Sequence, residues 1–190
     1  MADVAADMTQ AANKLLSSLK PEQKKKAVFD FKGEERTYWH FVPSEMLKGG
    51  FRRGLTIRDM TPTQRELTHK LLLTVLSKEG HAKMKNIMFL EDILHVLEGK
   101  KRRFVRNSKA YHVLIFGIPN KKTWGWRFEG HHLSLNYTIV NGKVTIVPSF
   151  WGSNPAVCDF GPGRKLIALE IEEFAARELR NSLSAEQVKK

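Results

Sequence analysis

The chain has 190 residues, a formal net charge of +12 and an isoelectric point near 9.9. Hydrophobic residues make up 42% of it, which at this length is enough to form the core of one globular domain without disulfides or bound metals. The single cysteine, Cys158, excludes an intrachain disulfide and a cysteine-rich zinc site.

Residues 1–19 contain Asp3 and Asp7 and lack a continuous apolar core, so they fit neither a secretory signal nor a transit peptide. No other stretch is long and apolar enough to span a membrane. The sequence as given therefore predicts a soluble, cytoplasmic protein, or an exported one if a signal peptide has been removed from it.

The positive charge favours anionic partners, because clustered Lys and Arg release counterions from phosphates on binding. Most cations are spread along the chain, which is typical of a solvated surface. Dense runs occur only at residues 24–26 and in the basic loop, made of Lys100, Lys101, Arg102, Arg103 and Arg106. We expect this loop to contact an anionic ligand or to bind nucleic acid weakly and without sequence preference.

In the first half of the chain, apolar residues at helical spacing predict a helix over residues 3–16. Pro21 suits the start of a second helix, which we expect to continue to Phe29. The aromatic, β-prone residues 36–42 predict a strand. Thr61 to Gln64 form a capping signal for a third helix ending at Gly80, and a fourth is predicted over residues 82–97.

In the second half, segments rich in β-branched and aromatic residues predict strands over 111–117, 124–129, 131–140 and 143–147. Asn141-Gly142 between the last two is a strong hairpin signal. A final helix is predicted over residues 165–181, and its expected core residues are Ile167, Ile171, Phe174 and Ala175.

These elements predict an α+β fold: an antiparallel sheet of three to five strands, with helices on the N-terminal side and one C-terminal helix packed on it. We expect a single domain over residues 1–190, in which residues 1–20 form an N-terminal helix or arm.

The segment from Trp124 to Val140 contains the candidate site. As one unbroken strand, it would place Trp126 and Phe128 on the same face as polar residues. A β-bulge at Gly130 would shift the alternation by one residue. The polar residues would then share one face, while His131 would point into the core; the polar set is Arg127, Glu129, His132, Ser134, Asn136 and Thr138.

A carboxylate beside an imidazole, as in Glu129 with His132, can act as an acid and base or bind a divalent metal. Arg127 is the third candidate for a catalytic role. His40 is the foremost candidate for an additional metal ligand, with His69 and His81 as others. The alternative is an ion pair between Arg127 and Glu129 with His132 on a solvated face.

The loop over residues 148–155 carries large aromatic residues beside polar ones. Its Trp151 and Asn154 are candidates for ligand binding, and the alternative is a lid packed on the sheet. Two classes of function therefore stay open. One is a metal-dependent enzyme, or half of one, that uses Glu129 and His132; the other is a noncatalytic binding module that uses the basic or aromatic loop.

Two segments, residues 124–136 and 148–155, resemble the signature of the domain-of-unknown-function 3500 family. Further similarities lie at residues 27–29, 39–43, 60–62 and 87–88. The resemblance covers nearly the whole chain and implies the N-terminal half, or a truncated member, of proteins that often continue further and frequently carry an export signal. It implies no particular biochemical activity.

Residues 18–26 are echoed by residues 182–190 at the C-terminal end. Each stretch begins with Ser-Leu, continues with two residues at the start of a short helix, and then has Glu-Gln followed by lysines. We interpret residues 183–190 as the possible start of a second repeat.

Overall fold

The computed structural model describes residues 3–189, and within them the fold is α+β, as predicted. The helices are α1 (Val4–Ser18), α2 (Pro21–Ala27), α3 (Pro62–Leu72), α4 (Lys78–Glu98), α5 (Glu170–Ser182) and α6 (Ala185–Val188). The strands are β1 (Val28–Phe29), β2 (Leu55–Thr56), β3 (His112–Gly117), β4 (Thr123–Gly130), β5 (Leu133–Val140), β6 (Lys143–Thr145), β7 (Ser149–Trp151), β8 (Cys158–Asp159) and β9 (Lys165–Leu166).

The main sheet has seven strands, more than the three to five expected, and it is mixed. Strands β3, β4, β5 and β6 form the predicted antiparallel meander. Strand β1 adds to β3 in parallel, while β2 and β7 pair antiparallel with β3 and β5. The short strands β1, β2 and β7 escaped the sequence analysis because segments of two or three residues are too short to show alternation.

Local sequence signals correctly predict the first four helices, but several boundaries differ. The second helix ends at Ala27 and not at Phe29, because Val28 and Phe29 form β1. Thr61 and Gln64 form the expected capping box of α3. This helix ends at Leu72 and not at Gly80, because Ser77 accepts a bond from Gly80 N and begins α4 earlier. Asn141 and Gly142 form the predicted hairpin turn with φ of 49° and 77°, respectively.

Alternation along the strands divides the sheet into two faces. One face is apolar and packs against α1, α3 and α4, with Met8, Leu15, Leu71, Met84 and Ile87 buried on Trp126, Phe128, Leu135 and their neighbours. The other face is covered by residues 30–54. The predicted strand over residues 36–42 is wrong, because this segment has a short 3-10 helix at Glu34–Arg36 and no strand.

The prediction that the C-terminal helix packs on the sheet is also wrong. Helix α5 begins at Glu170, and it has no buried residue. Ile171 and Phe174 are exposed by 75% and 65%, and Ala175 is exposed as well. Amphipathic spacing identified the helix, but spacing does not reveal whether a surface is there to cover the apolar side. None of the helices in residues 3–189 is long and apolar enough to cross a bilayer.

Helices α5 and α6 repeat the geometry of α1 and α2. Leu19 ends α1 at φ −80°, ψ 138°, and Leu183 ends α5 at φ −79°, ψ 142°. Gln23 and Gln187 each bond back to the cap residue of the next short helix. The second repeat over residues 183–190 stays a prediction, and its last residue lies outside the described part of the chain.

The two helix pairs differ in packing, and matched substitutions should reveal it. Leu15→Ala should lower the free energy of unfolding by about 2–5 kcal/mol because Leu15 is 1% exposed in the core. Leu179→Ala, at the corresponding position of α5, should change it by less than about 0.5 kcal/mol because Leu179 is 65% exposed. Urea unfolding measures both, and equal losses would mean that α5 is packed in solution.

Candidate functional site

The predicted polar row of the sheet exists, but it is buried. Arg127 pairs with Asn136 and Glu129 with Ser134 across β4 and β5, so all four side chains lie on one face. Each of them is at most 8% exposed. The prediction of a shared face is therefore confirmed for these four residues and wrong for His132, which lies in the turn after β4. The ion pair of the alternative interpretation is present, with Arg127 Nη1 3.5 Å from Glu129 Oε1, but this face is not solvated.

The β-bulge predicted at Gly130 is wrong. Gly130 ends β4 and pairs with Leu133, and His131 and His132 form a two-residue turn between the strands. This turn produces the change of phase that the sequence analysis attributed to a bulge. Glycine is required at position 130 because an added Cβ would lie 2.5 Å from the ring of Tyr111.

Glu129 is surrounded by donors on the buried face. Its Oε1 accepts from Arg52 Nη1 at 2.6 Å, and its Oε2 accepts from Ser134 Oγ at 3.0 Å. The backbone N–H of His40 donates to Oε2 at 3.1 Å. Arg127 Nη1 lies 3.5 Å from Oε1. Because its oxygens are occupied in this way, Glu129 serves to hold charged groups together inside the protein.

Arg127 and Arg52 tie the irregular segment over residues 30–54 to the sheet. Arg127 donates to the carbonyls of Glu35, Arg36 and Tyr38, and its Nε bonds to Asn136 at 2.8 Å. Arg52 donates to the carbonyls of His40 and Val42. Burial lowers the pKa of Arg127, while the neighbouring carboxylates of Glu129 and Glu35 oppose this shift.

The three residues proposed as metal ligands do not converge. His40 reaches Glu129 through its backbone N–H, and its Nε2 is buried with no hydrogen-bond partner among residues 3–189. His132 lies in the hairpin turn, where its backbone bonds to Phe41 and Gly152. Across the described chain, no group of three or more His, Cys, Asp and Glu side chains is arranged to hold a metal ion.

A cleft of about 820 Å³, called here the central cleft, opens beside the buried network. One wall is formed by Pro43 to Glu45 and Gly50 to Gly54 from the irregular segment, and the opposite wall by Glu91 of α4, Val105, Asn107 and the turn residue His131. Tyr111 and His112 from the start of β3 complete it, and Lys25, Lys26 and Arg58 line it as well.

His131 and Glu91 meet at the wall of the central cleft. His131 Nδ1 lies 2.5 Å from Glu91 Oε1. A carboxylate accepts hydrogen bonds, so Nδ1 carries the hydrogen in this contact, and the Nη1 group of Arg106, which lies 3.2 Å from the same Nδ1, does not donate to it. When the ring is uncharged, Nε2 keeps its lone pair. The prediction that His131 points into the apolar core is therefore wrong. Its ring lies 4.0 Å from that of His132, centroid to centroid, and not on an opposite face.

Arg106 supports this pair from behind. Its guanidinium bonds to Glu98 at 2.7 and 3.0 Å and lies 3.7 Å from Glu91. The hydrogen bond from Arg106 lowers the pKa of Glu98. Arg106 is only 7% exposed, so it is occupied inside the fold, unlike Lys100, Lys101, Arg102 and Arg103, whose side chains are exposed.

His112 and Tyr111 add buried polar groups to the cleft. Burial, assisted by the positive charge of Arg52, lowers the pKa of His112 to about 4, so this ring is neutral at physiological pH. Within residues 3–189 its Nδ1 is buried without a hydrogen-bond partner. Burial raises the pKa of Tyr111, whose hydroxyl donates to the carbonyl of His131 at 2.8 Å. Burial also lowers the pKa of His132, in the neighbouring turn, to about 4.

The aromatic loop lies apart from the central cleft. Trp151 belongs to β7, pairs with Leu133 and donates from Nε1 to Ser149, and Asn154 is exposed. Neither is among the residues that line the cleft in the described chain. Phe150 stacks on Phe41 at 4.0 Å, so this loop also helps to fix the irregular segment.

Sequence reasoning missed Glu91, Tyr111, His112 and Arg52. Glu91 had a usable signal, because it lies on the apolar stripe of α4 with Met84, Ile87 and Leu94. A carboxylate at such a position needs a partner. The contact between Arg52 and Glu129 had no comparable signal, since it joins residues 77 positions apart.

Within residues 3–189 the structure is an α+β fold with a partly enclosed cleft that both apolar and polar residues line. A family model described as "Protein of unknown function (DUF3500)" matches residues 1–190. The chain belongs to this family, which confirms the resemblance seen in the sequence. No curated protein and no solved structure matches the chain.

The network around Glu129 should dominate stability on the buried face. Glu129→Gln removes the charge facing Arg52 and Arg127, so we expect the free energy of unfolding to fall by about 3–5 kcal/mol. The control is Glu173→Gln, which removes the exposed pair with Arg177 and should cost less than about 1 kcal/mol. Similar losses in urea unfolding would contradict the structural role of Glu129.

Proposed function

We propose that this domain is an enzyme that performs acid–base chemistry on a small molecule bound in the central cleft, with His131 as the general base. One observation carries the proposal: the 2.5 Å contact between His131 Nδ1 and Glu91 Oε1 at the wall of the cleft. A carboxylate that fixes the tautomer and orientation of an imidazole is a recurrent arrangement in enzymes that transfer protons.

The surroundings of His131 support this role. The cleft volume of about 820 Å³ lies within the range of small-molecule sites, roughly 300–1,000 Å³. Its lining combines apolar groups such as Phe29, Phe51 and Val105 with a few polar ones. Arg106, held by Glu98, lies 3.7 Å from Glu91 and 3.2 Å from His131 Nδ1, so it packs beside the pair and limits its freedom before a substrate binds.

The chemistry assigned to the pair is proton transfer. In ester hydrolysis, His131 Nε2 takes a proton from water as the water oxygen bonds to the acyl carbon. The ester C–O bond then breaks, and the protonated ring returns the proton to the departing alcohol oxygen. Glu91 stabilises the positive ring between these steps. It is a positioning residue, because it acts through His131.

Substitution of the two turn histidines tests the proposal. A panel of 4-nitrophenyl esters serves as the probe, and turnover by His131→Gln should be lower by about a hundredfold or more. His132→Asn is the matched control, since it changes the neighbouring imidazole and Asn tolerates the φ of 59° at this position. Its turnover should match the unchanged protein.

Glu91→Gln gives a second readout. The neutral amide no longer stabilises the protonated ring, so the acid limb of the pH–rate profile should move to lower pH. Turnover independent of His131 across the whole panel, or an acid limb unmoved by Glu91→Gln, would contradict the assignment.

Metal-dependent catalysis through Glu129, His132 and His40 stays a prediction, with Arg127 as its catalytic partner. Elemental analysis of protein purified without a histidine tag tests it directly. A stoichiometric divalent metal that is lost in His132→Ala, with the fold intact by circular dichroism, would support that alternative, and protein free of metal would contradict it.

A further inference from the structure

The end of α4 and the residues after it present an unusual surface. Val96, Leu97 and Val105 are exposed by 76%, 67% and 61%. Between them lie the four exposed cations of the basic loop, Lys100, Lys101, Arg102 and Arg103. We name residues 96–105 the amphipathic segment.

The fold does not require this composition. The core-facing side of α4 is supplied by residues such as Ile87, Glu91 and Leu94, which are buried. Val96 and Leu97 point away from that side, in the last turn. Single exposed apolar residues are common on protein surfaces, but three of them flanking four cations mark a contact surface.

The amphipathic segment continues from α4 at its start and is held to the rest of the protein at its end. Within it, Arg102 Nη1 donates to the carbonyl of Gly99 at 2.8 Å. Val105 N donates to Glu45 Oε1 at 2.7 Å, and the next residue, Arg106, is fixed by Glu98. The one carboxylate within the segment, that of Glu98, is thereby paired with Arg106, and the cations keep their positive charge outward.

We propose that the amphipathic segment binds the surface of an anionic phospholipid membrane. Lys and Arg side chains are attracted to anionic headgroups, and aliphatic side chains beside them enter the boundary between headgroups and acyl chains. An anionic membrane would therefore contact both the cations and the exposed aliphatic residues of the amphipathic segment. The protein would bind the membrane at its surface and would not span it, in agreement with the finding that no described helix can cross a bilayer.

Nucleic acid fits the same surface less well. Its phosphates would use the cations, but the exposed apolar residues here are aliphatic. The one aromatic ring of the segment, that of Phe104, is half-buried and already contacted by the guanidiniums of Arg103 and Arg106, so it is a poor platform on which bases could stack. No recognition helix carries the charge either. Contact with phosphates alone would leave Val96, Leu97 and Val105 exposed.

Cosedimentation with lipid vesicles tests the proposal. The protein should bind vesicles that contain phosphatidylserine and not vesicles of phosphatidylcholine alone. Lys100→Gln/Lys101→Gln/Arg102→Gln should weaken binding by about tenfold or more, given the contribution of each cation near an anionic surface. Val96→Ser/Leu97→Ser should weaken it by several-fold, because the apolar contact is lost while the charge is kept.

The matched control is Lys24→Gln/Lys25→Gln/Lys26→Gln, which removes three exposed cations from α2. This variant should retain vesicle binding close to that of the unchanged protein. Equal losses in the two triple variants would show attraction by net charge alone and overturn the proposal, as would an unchanged Val96→Ser/Leu97→Ser variant.

Competition decides between the two anionic partners. A nucleic-acid oligomer that binds more tightly than the phosphatidylserine vesicles, and that loses affinity in the basic-loop variant, would overturn the membrane assignment. The vesicle assay uses no substrate, so its result is independent of the role proposed for His131.

Discussion

The buried carboxylate of Glu129, placed between Arg52 and Arg127, is the interaction on which the rest of the structure depends. Removing these charges from water is costly, and the cost is offset only while the carboxylate keeps its bonds to the two guanidiniums. The two guanidiniums also donate to backbone carbonyls of residues 35–42, which lack the ladder bonds of a strand. These bonds fix an irregular segment that forms one wall of the central cleft.

The sheet consequently has two buried faces with different structural roles. Trp126 and Phe128 face a conventional apolar core under α1, α3 and α4. The reverse face holds hydrogen-bonded polar groups that specify where the irregular segment lies. The pair of His131 and Glu91 belongs to neither buried face, because it lies where the turn at the ends of β4 and β5 meets α4. This position combines a rigid support with access from the cleft, which suits a reactive group.

Much of the fold was predictable because its signals are local. The capping box at Thr61, the turn at Asn141-Gly142 and the strand alternation each depend on a few neighbouring residues. The strand expected over residues 36–42 failed because Arg127 and Glu129 supply its backbone with partners from distant parts of the chain. The burial expected for Ile171 and Phe174 failed because amphipathic spacing describes one helix and not its neighbours. Among the cleft residues that sequence reasoning missed, only Glu91 had a local signal, its place on the apolar stripe of α4.

The two-residue turn at His131 and His132 also sets how the sequence of this hairpin can change over time. Arg127 meets Asn136, and Glu129 meets Ser134, only because the connection has its present length. One inserted or deleted residue would rotate β5 by half a period and present Leu133 and Leu135 to the charged groups of β4. Substitutions at the turn are therefore far easier to accommodate than changes in its length. The hairpin should therefore keep its length even where residue types change, with His131 and Gly130 retained for the reasons given above.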